Sequence, residues 1–168
     1  MMISATLVLF PALMAYAAFS DLFTMTISNF VSLALVAIFF GLALALGMPV
    51  KEIGLHAAAG ALVLLVTFFM FARGWVGGGD AKLAAATALW VGFDQLADYG
   101  LYAAALGGIL TLFILVLRRY PLPPLLSGQA WLARLHDKGN GVPYGIALAA
   151  AGLLLYPETA IWASAVAH

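Results

Sequence analysis

The chain has 168 residues, of which 65% are hydrophobic and only 8% charged, with a formal net charge of zero and a mean hydropathy of +1.10. A soluble domain carries about 25% charged residues, so the composition excludes an ordinary soluble enzyme and places the chain in a membrane as one compact domain spanning residues 1–168. The absence of cysteine excludes disulfides, thiolate zinc sites and cysteine nucleophiles, and with no basic tract nothing points to nucleic acid.

Crossing the hydrocarbon takes about 20 apolar residues. In chain order the segments that meet this need are residues 3–20, 27–47, 54–72, a short Ala-rich stretch over 81–93, then 99–117 and 142–166. The fourth either extends past Asp94 or stops early beside a water-filled cavity. In the sixth, Pro157 and Glu158 break the outer part. These six segments predict an all-α bundle of six transmembrane helices joined by short loops. A cleaved signal peptide is the rival reading of the first segment, since Ala15-Tyr16-Ala17 has a small-x-small pattern. It is disfavoured because the first charge in the chain is Asp21 and there is no basic n-region.

Six helices place the loops alternately on two sides. Arg73, Arg118, Arg119, Arg134 and Lys138 fall on one side, with Lys82 just inside the fourth helix, and only Lys51 falls on the other. The first side is therefore predicted to be cytoplasmic and both termini extracytoplasmic. The one long loop begins where Pro121, Pro123 and Pro124 stop the fifth helix. Within it, residues 129–136 form a short amphipathic stretch with Trp131, Leu132 and Leu135 on one side and Arg134 and His136 toward water. It reads equally as a segment lying at the interface and as a surface loop anchored by Trp131.

Asp21 and Asp80 then fall on the same cytoplasmic face. A carboxylate at membrane depth is costly and marks a functional site by default. Asp80 ends the run Gly77-Gly78-Gly79-Asp80 and opens a strong helix former. Taken alone it is best read as a helix N-cap; a phosphate loop is excluded by the missing Lys-Ser/Thr pair. Asp21 follows the first helix, where a negative charge opposes the helix dipole. Its plain reading is a polar loop residue that turns the chain along with Thr24, Thr26, Ser28 and Asn29. As a pair, two close carboxylates cannot both ionise cheaply, so they share a proton. One serves as base toward a water and the other polarises a carbonyl, the logic of aspartic proteases. That chemistry needs no metal and no cofactor, and none is expected. His56, His136 and His168 are scattered and form no H-E-x-x-H; His56 reads as a helix-face or interface residue. Ser127-Gly128 has no partner base.

With Gly77 and Gly79, Asp80 matches the G-x-G-D motif, and Gly79 to Leu83 resembles the prepilin (type IV leader) peptidases. The polar stretch from Ser20-Asp21 to Ser28-Asn29, with Ser28 where proline is commoner, and the Val142-Pro143-Tyr144-Gly145 entry to the last helix are similar to the same family over nearly the whole chain. The short single-domain form most resembles the peptidases of Flp/Tad pilus systems. Longer relatives have an added N-terminal region, often with paired cysteines, and N-methylate their product. This chain lacks that region, so methylation is not expected. Presenilin-like enzymes share G-x-G-D but carry a Pro-Ala-Leu motif absent here.

The resemblance implies a prepilin substrate with a basic leader, cut at the cytoplasmic face of the bacterial inner membrane by Asp21 and Asp80. It implies that Gly77 and Gly79 shape the Asp80 loop and that Asn29 closes the Asp21 loop. Lys82 either tunes the pair or contacts substrate, or it is a positive-inside anchor. The other class left open is a small membrane transporter or pilus-assembly scaffold, with Asp80 as a cap and Asp21 as an ion or proton site.

Overall fold

A computed structural model describes residues 2–123 and 128–166, all without strands. The helices are α1 (Met2–Thr24), α2 (Asn29–Ala45), α3 (Val50–Ala72), α4 (Gly78–Val91), α5 (Leu96–Leu117), α6 (Ala130–His136), α7 (Gly145–Leu155) and α8 (Ala160–Val166), with a one-turn 3-10 helix at Tyr156–Glu158. Pro124 and Ser127 lie outside the described residues. By length and apolar composition α1, α3 and α5 can each cross a membrane, and the pair α7–α8, bent by 45° at residue 159, makes up to a fourth crossing. The sixth segment is thus broken where Pro157 and Glu158 stand. α2 and α4 are shorter, with 17 and 14 residues.

The short α4 is the centre of the molecule. From Ala81 to Gly92 every residue is buried except Lys82, and α2, α3, α5 and α7 pack around it. A helix apolar on all sides belongs inside a bundle. Of the two endings open for this segment, the early stop is the one found. Gly92 ends α4 with φ 67° and ψ −175°, an extended positive-φ conformation open essentially to glycine alone. The space that Gly92 leaves is filled by the imidazole of His56, whose Nδ1 lies 2.8 Å from the Leu89 carbonyl. His56 is therefore buried, bonding the last turn of α4, and is not a surface residue.

Aromatic packing fixes the other helices around α4. Phe10 of α1 stacks on Tyr156 at 4.5 Å and meets Trp90 of α4 at 4.7 Å, and Trp90 Nε1 donates to the Leu35 carbonyl of α2. Gly60 brings α3 close to α4: a Cβ there would lie 3.2 Å from the Ala85 carbonyl and from Leu89 Cβ. Small residues permit such close helix approach in membranes. Gly107 of α5 does the same for the entry to α7. The Tyr144 ring occupies the place where its Cβ would be, and Tyr144 Oη donates to the Ala103 carbonyl. Gly107→Ala therefore overpacks this contact and is expected to destabilise the protein by about 1–3 kcal/mol, read as a lowered thermal midpoint in detergent. Gly108→Ala, with nothing within 4 Å of its added carbon, is the control and is expected to keep or slightly raise the midpoint.

The long loop is tied to the bundle. Arg118 is buried and donates to the carbonyls of Leu135 and Gly141. α6 lies against α1, with Trp131 edge-on to Phe23 at 5.4 Å. Leu135 faces inward. The Arg134 guanidinium, expected toward water, donates to the Phe23 carbonyl at the end of α1.

Candidate active site

Asp21 sits inside α1, not in a loop after it. The helix runs one turn further than the apolar run because its polar end satisfies itself. Thr24 Oγ1 donates to the Ser20 carbonyl, Ser20 Oγ donates to the Thr26 carbonyl, and Met25, at φ 56°, donates its N–H to the Asp21 carbonyl. That last pair is a left-handed C-terminal cap. The connection to α2 is therefore only residues 25–28, and Ser28 caps α2 by accepting from the Phe30 N–H.

The Asp21 side chain is 5% exposed and its Oδ2 accepts from the Gly145 N–H at 2.7 Å. Gly145 is the first residue of α7. The charge thus opposes the dipole of its own helix but lies at the positive end of another, where unpaired N–H groups welcome an anion. The expected electrostatic penalty is offset by a helix that begins 124 residues later.

Asp80 is not the N-cap of α4. Gly77 holds that position, and Asp80 is the third residue of the helix. Its carboxyl turns back to the Gly77 N–H, the arm by which a third-position acid closes a capping box. The correction follows from the glycines: Gly77 adopts the extended cap conformation (φ −68°, ψ 145°), so the helix starts two residues before the carboxylate. Asp80 remains close enough to Asp21 to feel its charge.

Ile27 joins the two. A Cβ on Gly79 would stand 3.1 Å from Ile27 Cβ and 3.4 Å from its backbone N and O, and one on Gly145 would stand 2.6 Å from Ile27 Cδ1. The α1–α2 connection is therefore clasped between the starts of α4 and α7, and both carboxylates are held at those starts. Gly77 also lies against Asp80: a Cβ there would be 2.9 Å from Oδ2. The third glycine, Gly78, packs on the Phe71 ring of α3.

Lys82 and Asn29 lie apart from this pair. The Lys82 ammonium donates to Asn29 Oδ1 at 2.8 Å, on the seam between α4 and α2. Sequence reading did not single out Ile27, whose only signal is an apolar residue within a polar turn. It noted Gly145 only as part of a resemblance.

The model of the type IV leader peptidase family matches residues 8–114, well over half of the chain, including both aspartates. The chain belongs to the type IV leader peptidase family. It is thus a peptidase by family, with a protein substrate. The match ends before α7, so Gly145 lies outside it. No curated protein and no solved structure matches the chain.

Proposed function

We propose that this peptidase is an aspartyl endopeptidase that removes the basic leader of type IV or Flp-like pilin precursors, with Asp21 and Asp80 activating water. The observation that carries the reading is the convergence of two carboxylates, from α1 and α4, on the N-terminal ends of the two innermost helices. Neither has a cation among the described residues as its bonded partner there, and helix ends stabilise charge without neutralising it.

Two neighbouring carboxylates share one proton. The ionised member takes a proton from water as its oxygen attacks the scissile carbonyl, and the protonated member donates to the carbonyl oxygen. Collapse of the tetrahedral intermediate breaks the C–N bond, and a proton passes to the departing amine. The backbone turn at residues 77–79 is free of side chains, which lets the Asp80 carboxyl, Phe71 and Ile27 pack directly against it.

The membrane placement extends this reading. Six crossings over a single domain put both termini outside and the aspartates at the cytoplasmic face of the inner membrane, supported by the six-to-one bias of basic residues. α4 is about 21 Å long at 1.5 Å per residue, short of the about 30 Å hydrocarbon. Such a helix is viable because the others enclose it: its first turn is level with the end of α3 at Phe71, and it stops short at the other end, where Gly92 meets His56 inside α3. A cut at the membrane face suits a substrate whose cleavage point begins an apolar helix.

Co-expression with a pilin precursor tests the function. Expected is a precursor shortened at the junction of leader and apolar helix, mapped by mass spectrometry. A precursor that keeps its leader in the presence of abundant folded enzyme, across several pilin-type substrates, overturns the reading.

A further inference from the structure

α2 and α3 both pack on α4 but make at most slight contact with each other. Between them lies an open cleft of about 500 Å³, floored by Ala85, Ala86 and Leu89 of α4. It is separate from the aspartate pair, which faces α1 and α7. Its chemistry changes in order along its length. At one end stand Lys82 and Asn29, hydrogen-bonded to each other and exposed. One turn along α2 is Ser32, a lining residue that is 8% exposed and whose Oγ is turned away from the open space. Beyond it the walls are apolar, with Val36 and Phe40 of α2 facing Ala61 and Ala57 of α3.

We propose that this cleft binds one anionic phospholipid, with its phosphate on Lys82 and Asn29 and an acyl chain along Val36 and Phe40. Two features of the cleft select this occupant. The first is charge: a single ammonium at the mouth of an apolar cleft calls for an anion bearing a hydrocarbon chain. The second is depth. The apolar wall from Val36 to Phe40 lies about 10 to 16 Å past Asn29 along the helix axis, within reach of an acyl chain whose phosphate sits at the mouth. The proposal does not depend on which bond the aspartates cut.

Native mass spectrometry of the full chain, released from nanodiscs of mixed phosphatidylglycerol and phosphatidylcholine, provides the test. Expected is one phosphatidylglycerol retained per chain after phosphatidylcholine has left. Lys82→Gln lowers the retained fraction about fivefold, the effect of one basic residue on an anionic headgroup. Lys82 is exposed, so this variant folds, and an unchanged thermal midpoint in detergent verifies it. Ala61→Phe fills the cleft and removes the bound lipid, while Ala104→Phe on α5, away from the cleft, retains it. The proposal is overturned if Lys82→Gln keeps as much phosphatidylglycerol as the unmodified chain, or if phosphatidylcholine is retained equally. It is also overturned if cross-linking between cysteines placed at residues 33 and 61 shows a second copy in the cleft.

Discussion

Asp21→Asn and Asp80→Asn are each expected to abolish leader cleavage while leaving a folded, membrane-inserted protein. Asparagine has the shape of aspartate and keeps one acceptor oxygen, so it can still receive the Gly145 N–H at residue 21 or reach the Gly77 N–H at residue 80. What it loses is the ability to carry a proton. The expected loss of kcat/KM is about a thousandfold or more for each variant, and the double variant is scarcely worse, because residues that act as a unit are not additive. Thermal midpoint and elution volume in detergent serve as the fold controls. Survival of cleavage in either variant would mean that these carboxylates only hold helix ends together, and the two-aspartate mechanism would fall.

Gly145→Ala separates positioning from folding. Its Cβ would lie 2.8 Å from Asp21 Oδ2 and 2.6 Å from Ile27 Cδ1. Both are far ends of side chains and move aside, whereas Asp21 Cβ, at 3.2 Å, must give by a few tenths of an ångström, at a modest cost. Alanine also favours a helix over glycine by about 1 kcal/mol, which offsets part of that cost. Stability is therefore expected to change little. The Asp21 carboxylate, however, is pushed from its seat on the α7 N-terminus. A misplacement of about 1 Å costs on the order of a hundredfold in rate, and a loss of that size in kcat/KM is expected. Gly108→Ala, whose added carbon meets nothing, should cleave at the normal rate. Full activity in Gly145→Ala would show that the Gly145 contact does not position the reacting group.

Several features were readable from the chain because they are local. Long apolar runs broken by polar turns predict where helices lie, and each of the six expected segments contains a helix. Charge scarcity singled out Asp21 and Asp80, and the glycine run marked the start of α4. The boundaries were less legible, since they depend on caps: α1 continues past Asp21 because Met25 adopts a left-handed turn, and α4 begins at Gly78 because Gly77 takes the cap.

What only the tertiary structure decided is how these pieces serve one another. In the sequence, Asp21 is a charge at the wrong end of its own helix. In the fold it caps the start of α7. His56 is a lone histidine in the sequence and a bond to the end of α4 in the fold. Ile27 is an unremarkable apolar residue that becomes the clasp between Gly79 and Gly145. Each of these depends on dipoles, unpaired N–H groups and van der Waals contacts between residues far apart in the chain. Composition and periodicity record which groups a segment carries and which face it must bury, but the partner across the bundle is set only when the helices pack.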